Sequence, residues 1–305
     1  MKTVAFVTSQ DLADLTPGDT LLAEAFLDAG LRVTPAVWSD PSVRWGRFDL
    51  ILIRSPWDYY HEIEAFQEWL TAREGAFVLN PIPLIRWNLR KNYLAQLEAW
   101  GVPIVPTLFL EQGQSTSLAL ALEERGWREA VVKPQISAGA FETWPCTLQE
   151  APTQQKKLDA ALKERPLLIQ PFLSEIQQLG EWSLIFFAGE LSHAVLKRPA
   201  PGDFRVQAEF GGSTTRAEPS EALLDVAVRA ITAAGRVSPW LYARVDLVET
   251  SRGPLLMELE LIEPELFFNL APGAAERFVT RLFDSAASYQ QPSRSAQTID
   301  TDSTE

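Results

Sequence analysis

Two short alternating segments, joined by a polar turn, constrain the fold of this chain more than any other feature. Apolar and polar residues alternate along Tyr242–Val248 and again along Leu255–Leu261. Ser251–Gly253, between them, ends in glycine, as a three-residue hairpin loop does when a type I turn is followed by a left-handed residue. The pattern predicts a β-hairpin with one polar face and one core face.

Charged residues share the polar face of this hairpin. Folding about the loop sets Asp246 opposite Glu258, and it sets Arg244 opposite Glu260. The other face is predicted to be core and consists of Val245, Leu247, Met257 and Leu259. Like charges directly opposed across strands are destabilising, so a positive group is expected between the two carboxylates. A divalent cation with hard oxygen ligands fits, and a solvated polar face is the alternative.

The composition excludes several classes of protein. The 305 residues are 46% hydrophobic and 22% charged, with a net charge of −13, which argues against binding nucleic acid or an anionic membrane through a general basic field. The chain starts as a first strand would and not as a signal peptide, and no apolar run approaches the ~20 residues of a membrane span. Cys146 is the only cysteine, so an intrachain disulfide is excluded and a cytoplasmic location is expected.

The N-terminal third alternates between strands and helices, which implies a parallel sheet with helices on its faces. The predicted strands are Thr3–Val7, Leu31–Val37 and Leu50–Ile53, and the predicted helices are Thr20–Ala29, with Asp19 as its cap, and residues 62–72. Ligands of open parallel sheets bind beyond the carboxyl ends of strands. The loop that follows Ile53 is therefore a candidate substrate loop that contains Arg54, Trp57 and Asp58, in which Arg54 would pair with a carboxylate and Asp58 with an ammonium group. The alternative is an aromatic packing loop with one ion pair.

Further along the chain, Asn88 is a predicted cap for a helix over Leu89–Trp100, with Lys91 in its first turn. A cation there is unfavourable to the helix dipole and suggests an anionic partner. Predicted strands follow at Val102–Leu110, Ala130–Lys133 and Leu167–Gln170, then a hairpin of Trp182–Ala188 and Leu191–Lys197, and helices at Glu221–Ala234 and near Ala274–Ala287.

A buried strand ends in Lys133-Pro134 and leads into a loop of small residues, Ser137 to Ala140. Small residues let backbone amides approach phosphates, and the lysine supplies a point charge. The segment is not a Walker motif, which needs GxxxxGK[ST]. Its alternative is a lysine that reaches solvent from the end of a strand.

The order of these motifs resembles the ATP-grasp superfamily of ATP-dependent carboxylate–amine ligases over roughly residues 84–269. VVKP and its loop are followed by IQPFL, GDFR, RVD and MELE in that order. The segments RSPWDYY, WNLRKNYL, GVPIVPT and VVKPQISAGAF are similar to the bacterial glutathione-synthetase-like group, and in particular to the branch that contains the O-ureido-serine cyclo-ligase of cycloserine biosynthesis.

The resemblance implies an α/β (α+β) architecture, in which an N-terminal βαβ (pre-ATP-grasp) domain precedes the ATP-grasp fold. The expected division is a substrate lobe over residues 1–88, a small ATP-grasp lobe over 89–173 and a large lobe with a metal site over 174–287. Residues 288–305 lack apolar periodicity and are predicted to be a disordered tail.

The resemblance also implies roles for single residues. The ATP contacts would be Lys91 and Lys133 at the phosphates, Ser137, Ala138 and Gly139 in the loop over the triphosphate, Gln170, Phe172 and Leu173 around adenine, and Glu181 at the ribose. The catalytic cations would be Arg244, Arg205 and Lys197, and the metal ligands Asp246, Glu258 and Glu260. Two positions depart from the family pattern, since Gln170 stands where an acidic residue is frequent and Glu260 where many members have asparagine.

The implied reaction joins a small carboxylate to an amine through an acyl phosphate, with ATP and Mg²⁺ as cofactors and Mn²⁺ as an alternative metal. Intramolecular ring closure, a kinase and a non-catalytic ATP-binding protein are the alternatives. The expected partners are a small carboxylate and an amine, without nucleic acid or membrane, and a homo-oligomer is left open.

Overall fold

A computed structural model of the chain describes residues 2–203, 205–207 and 210–289. The predicted tail therefore lies outside the described residues, apart from its first two positions. The described chain contains three sheets, which are called here the N-terminal, small and large sheets. No described helix has the length and apolarity that a membrane crossing requires.

The N-terminal sheet is parallel, with the strand order β2-β1-β3-β4. Its elements are β1 (Thr3–Thr8), α1 (Pro17–Asp28), β2 (Arg32–Val37), β3 (Leu50–Ser55), α2 (Ile63–Thr71), β4 (Val78–Leu79) and α3 (Ile82–Asn88). The strand–helix alternation of the sequence is thus confirmed. The cap of α1 is Thr16 and not Asp19, because the Thr16 hydroxyl accepts from the Asp19 amide while the Asp19 carboxylate is buried against Arg54.

The small sheet is antiparallel, with the order β5-β8-β6-β7. Its segment contains α4 (Tyr93–Ala99), β5 (Leu108–Leu110), α5 (Leu118–Arg125), β6 (Glu129–Pro134), β7 (Trp144–Thr147), α6 (Ala151–Glu164) and β8 (Leu167–Pro171). Helices α5 and α6 pack with this sheet around a core of its own. The predicted strand over Val102–Leu110 is shorter than expected, since only its last three residues form β5.

The predicted helix over Leu89–Trp100 was wrong at its start. The chain forms α3 and α4 instead, and Lys91 lies between them. The Asn88 side chain does not cap a helix, because its amide nitrogen donates to the Leu259 carbonyl and its oxygen accepts from the Leu261 amide. Asn88 therefore ties this connection to the hairpin that carries the acidic residues.

The large sheet has the order β11-β10-β9-β12-β13 and is antiparallel. Its elements are α7 (Ser174–Leu179), β9 (Glu181–Phe187), β10 (Glu190–Arg198), β11 (Ser213–Arg216), α8 (Glu221–Ala234), β12 (Tyr242–Thr250), β13 (Gly253–Glu260) and α9 (Ala274–Tyr289). Helix α8 follows the sequence prediction, and the Ser220 hydroxyl accepts from the Leu223 amide at its start. The large and N-terminal sheets share one apolar core with α1 and α9.

The hairpin β12–β13 pairs Asp246 with Glu258 as predicted, but its loop differs from the predicted one. Gly253 pairs with Thr250, so the loop contains two residues and not three. The ladder then shifts by one residue between Asp246 and Leu247, and this bulge restores Asp246 opposite Glu258. Because of the bulge, Met257 lines a cleft, and the prediction that it belongs to the core was wrong.

Candidate active site

One cleft, with a volume of about 590 Å³, lies between the small and large sheets and the loop after β3. It gathers nearly all of the residues that the sequence pointed to. From the predicted ATP contacts it includes Lys91, Lys133, Ser137, Ala138, Gly139, Gln170, Phe172, Leu173 and Glu181, and from the others Trp57, Lys197, Arg205, Arg244, Asp246, Glu258 and Glu260. Arg54 and Asp58 do not line it.

Cations and carboxylates alternate on the polar face of the β12–β13 hairpin. The Arg244 guanidinium lies 2.9 Å from an Asp246 oxygen and also forms an ion pair with Glu260. The Lys91 ammonium lies 2.8 Å from a Glu258 oxygen. The expected positive charge between the opposed carboxylates is therefore supplied by side chains of the protein itself.

This arrangement spreads the carboxylate pKa values apart. Burial alone would raise the pKa of Asp246, but Arg244 and Lys197 outweigh it and lower the value to about 2. The pKa of Glu260 moves the other way, to about 8, because burial and the neighbouring Glu258 and Asp246 outweigh the attraction of Arg244. The hairpin thus carries more negative charge than its own cations balance.

A divalent metal fits the chemistry of this donor set. Asp246, Glu258 and Glu260 offer the hard carboxylate oxygens that magnesium and manganese prefer. The raised pKa of Glu260 indicates a carboxylate that gains from further positive charge. Within the described ranges no three acidic, histidine or cysteine side chains already converge as a metal cage, so binding would require these side chains to leave their present ion pairs.

Lys133 differs from the other lysines of the cleft. Among the described residues it forms no salt bridge, whereas Lys91 pairs with Glu258, and Lys197 lies 2.5 Å from a Glu181 oxygen. Burial lowers the pKa of Lys133, Lys91 adds to the effect, and Glu258 opposes it. A positive charge in this position gains from an anion that enters the cleft.

The small-residue loop follows β6 and lies beside this lysine. Gly139 and Ala140 have φ angles of 57° and 59°, so two successive residues adopt the left-handed conformation. Successive backbone turns of this kind expose N–H groups that bind anions. The Lys91 ammonium donates to the Ser137 carbonyl over 2.8 Å, which connects the loop to the hairpin.

The end of β8 and its connection to α7 form another wall of the cleft. The Gln170 amide nitrogen donates to the Thr107 hydroxyl over 2.9 Å, which leaves the side-chain oxygen as an acceptor. Phe172 and Leu173 follow it on the cleft wall. Arg205 reaches the cleft from the connection after β10, where its side chain pairs with Asp203 at 2.8 Å and stacks over Phe210.

Comparisons with known proteins agree with this geometry. Residues 4–80 match the family model of the N-terminal domain of D-cycloserine synthetase DcsG. The chain is 32% identical over 276 residues to the cycloserine biosynthesis protein DcsG of Streptomyces lavendulae. The aligned region covers 86% of this chain and 91% of that protein. This chain belongs to the ATP-grasp ligases.

Other members of the family match as well. A probable alpha-L-glutamate ligase of Xanthomonas campestris pv. campestris (strain B100) is 37% identical over 190 residues, 61% of either chain. The crystal structure of D-cycloserine synthetase DcsG has a TM-score of 0.82 at 29% identity and covers 92% of this chain and 99% of its own. The predictions of an ATP-grasp fold and of ATP-dependent carboxylate–amine ligation are confirmed.

Two residues predicted to contact substrate in this ATP-grasp ligase lie elsewhere. Arg54 is only 2% exposed, and its Nε lies 2.7 Å from an Asp19 oxygen. Its Nη2 donates to the Pro264 carbonyl over 3.1 Å. Asp58 accepts a hydrogen bond from the Trp38 indole over 2.6 Å. The Arg54 charge is thus paired inside the fold, and neither side chain lines the cleft, so a direct contact of either residue with substrate stays a prediction.

Two further acidic residues of the cleft, Glu263 and Glu265, follow β13 and were not predicted from the sequence. Burial raises the pKa of Glu263 to about 7, although the neighbouring Tyr59 hydroxyl lowers it. The signal was available, because the segment IEPEL continues directly from MELEL. The alternation of apolar and polar residues ends at Leu261, so it does not predict the direction in which the side chains of Glu263 and Glu265 point.

Proposed function

We propose that the cleft of this ATP-grasp ligase binds ATP with Mg²⁺, converts the carboxylate of a small amino-acid-like substrate into an acyl phosphate, and transfers the acyl group to an amine. One observation carries the proposal. A single cleft places Lys133, which lacks a carboxylate partner in the described chain, beside an acidic hairpin whose charge exceeds that of its own cations.

The phosphates are assigned to the end of the cleft that holds Lys91 and Lys133. Lys133 offers its charge directly, and Lys91 becomes available to a phosphate when Glu258 turns to a metal ion. The loop from Ser137 to Ala140 closes over the triphosphate with its backbone amides. Adenine is assigned to the Gln170–Leu173 connection and the ribose to Glu181, both of which line the same cleft.

Asp246, Glu258 and Glu260 would hold the metal ion, with Mn²⁺ as an alternative to Mg²⁺. Bound there, the ion would neutralise charge on the β- and γ-phosphates. Arg244 stands between Asp246 and Glu260, where its guanidinium can stabilise the phosphoryl group in transfer. Lys197 and Arg205 line the same cleft and would add positive charge there.

The proposed chemistry has two steps. A carboxylate oxygen of the substrate attacks the γ-phosphorus, and the bond from phosphorus to the β-phosphate oxygen breaks to release ADP. The amine nitrogen then attacks the acyl carbon, the bond to the phosphate oxygen breaks, and the nitrogen loses a proton. Closing the small-residue loop excludes water, which would otherwise hydrolyse the acyl phosphate.

Ring closure is the second candidate, in which the amine and the carboxylate belong to one molecule. The similarity to a D-cycloserine synthetase over 91% of the DcsG sequence favours it. A ligase of two separate substrates is favoured by the similarity to alpha-L-glutamate ligases.

The test is a panel in which ADP release with Mg-ATP is measured and the product mass is determined. The panel contains both enantiomers of O-ureido-serine alone, and glutamate, alanine and serine with and without a second amine. Release of ADP with a product lacking one water supports ligation, and a single-substrate product identifies ring closure. A stable phosphorylated product, or no ADP release with any acid, would overturn the proposal.

A further inference from the structure

The segment Ile262–Phe267 lies between the acidic hairpin and the loop after β3, and is called here the post-hairpin segment. It is held from both sides. The Trp57 indole donates to the Glu263 carbonyl over 2.9 Å, and Arg54 donates to the next carbonyl, that of Pro264. From the large sheet, Arg244 donates to the Glu265 carbonyl over 3.3 Å. The backbone of this segment is therefore fixed by donors from two lobes.

Within the segment, the Glu263 carboxylate lines the cleft without an ion-pair partner among the described residues. The contrast with the hairpin is direct, because Asp246, Glu258 and Glu260 all have a lysine or an arginine within salt-bridge distance. The neighbouring Tyr59 hydroxyl lowers the pKa of Glu263 against the effect of burial, but it brings no charge.

Glu265 has a different environment. One of its oxygens accepts from the Phe267 amide over 2.8 Å and would lie 3.2 Å from a Cβ placed on Gly18. This carboxylate is turned towards its own backbone and towards α1. Glu263 is therefore the acidic side chain of the segment that remains available to a ligand in the cleft.

We propose that Glu263 binds the ammonium group of an amino-acid substrate, and that this contact determines which acids the enzyme activates. An ammonium group supplies the positive partner that the carboxylate lacks, and a charge-assisted hydrogen bond in a partly buried cleft discriminates strongly against an uncharged analogue. Arg54 and Trp57 act as positioning residues, because they hold the backbone on which Glu263 stands.

This inference rests on the proposed ligase function and names the class of its substrate. The predicted loop after β3 then influences substrate choice through the post-hairpin segment and not by direct contact of Arg54 or Asp58. The experiment has a second possible outcome, in which Glu263 is a metal ligand, since it lies near Glu258 and Glu260. The two roles are separable, because a metal ligand affects Mg-ATP and an ammonium site affects the acid.

The experiment compares three pairs of acids that differ only in the ammonium group: alanine with lactate, serine with glycerate, and glutamate with 2-hydroxyglutarate, beside O-ureido-serine. ADP release is measured for the unaltered enzyme and for Glu263→Gln, which retains the size of the side chain and removes its charge. Glu276→Gln removes an equal charge from an exposed position on α9 and is the matched control.

We expect the unaltered enzyme to prefer amino acids over their hydroxy analogues. Glu263→Gln should lower kcat/KM for the preferred amino acid by roughly 30-fold, about 2 kcal/mol at ~1.4 kcal/mol per decade, through KM more than kcat. The KM for Mg-ATP should stay unchanged, and Glu263→Asp should recover part of the loss. The control should behave as the unaltered enzyme does.

Several outcomes would overturn the inference. If Glu263→Gln raised the KM for Mg-ATP and left the preference among acids intact, Glu263 would belong to the metal site. If the unaltered enzyme turned over only acids without an ammonium group, the inference would fail while the ligase function stood. Absence of ADP release with every acid would overturn the ligase function, and the inference with it. Thermal unfolding of each variant shows whether a loss reflects the fold.

Discussion

The β12–β13 hairpin and the end of β3 both carry charged residues on a buried strand, but the fold uses these charges in opposite ways. On the hairpin, Arg244 and Asp246 pair with each other and still line the cleft. At the end of β3, Arg54 turns inward to Asp19 and is 2% exposed. Ion pairs that line a cleft can exchange partners with a ligand, whereas a buried pair holds the fold together.

This comparison predicts that charge removal on the hairpin affects turnover most. Asp246→Asn should lower kcat by roughly 1,000-fold or more, about 4 kcal/mol, because a metal ligand is lost and phosphoryl transfer depends on neutralised charge. The variant should also lose some stability, because Arg244 and Lys197 hold the Asp246 charge in the folded state, and thermal unfolding separates this loss from the loss of turnover. Steady-state ADP release measures the effect, and Glu249→Gln on the same strand is the control outside the cleft. Normal turnover in Asp246→Asn would remove the metal assignment.

Charge removal at Arg54, near the end of β3, should act on the fold instead. Arg54→Leu leaves the Asp19 carboxylate buried without its partner, which should lower the free energy of unfolding by about 3–5 kcal/mol. Adding Asp19→Leu should recover part of this loss, because no lone charge remains. Urea titration measures the free energy of unfolding of the single and the double variant.

The control for this pair is Arg86→Leu, which breaks an exposed pair with Glu74 and should cost less than about 1 kcal/mol. Equal losses for Arg54→Leu and Arg86→Leu would contradict the distinction between the buried pair and the exposed one.

Lys133 adds a third case to the comparison of charged residues. It is a cation that lines the cleft and has no partner carboxylate in the described chain. Lys133→Ala should weaken ATP binding roughly 10- to 100-fold, about 1.4–2.8 kcal/mol, by removing a charge-assisted contact to phosphate. Mg-ATP should then protect the variant less against thermal unfolding than it protects the parent. Calorimetry measures both affinities for ATP. Equal affinities for parent and variant would show that Lys133 ends the strand β6 without binding ATP.

The smallest expected effect concerns pH. The folded pKa of Glu260 is about 8, above its ordinary value of 4.5, so the folded state binds this proton more tightly than the unfolded state does. The resulting stabilisation is fully present below about pH 4.5 and is lost as the pH rises through 8. The melting temperature of the metal-free protein should therefore fall by roughly a few degrees between pH 5 and 8. Glu260→Gln should flatten this decline, and an unchanged slope in the variant would contradict the assignment.

Local patterns predicted the fold where the sequence and the tertiary contacts agree. Helix α8 was predicted at both ends because Ser220 and Gly235 flank a regular apolar stripe. The pairing of Asp246 with Glu258 was also correct, but the two-residue loop and the bulge at Met257 compensate for each other, and neither can be read from the alternation. Helix α6 was missed because few of its residues are buried.

The errors near the site have a common physical cause. Asn88 and Asp19 are good capping residues, but each is used in a contact with a distant segment, Asn88 with β13 and Asp19 with Arg54. Such contacts join residues that are far apart in sequence, so local spacing carries no trace of them. For the same reason, the sequence did not predict which carboxylates pair with the lysines of the cleft, although it predicted that these lysines lie in the cleft.

The most direct test of the account follows the oxygen atoms of the substrate carboxylate. The best acid of the panel, labelled with ¹⁸O in its carboxylate, is turned over with Mg-ATP and the amine, and the released phosphate is analysed by mass spectrometry. Attack of that carboxylate on the γ-phosphorus, followed by displacement by the amine, predicts one ¹⁸O atom in each phosphate released. Phosphate without label, or label in AMP, would contradict an acyl phosphate formed in this cleft.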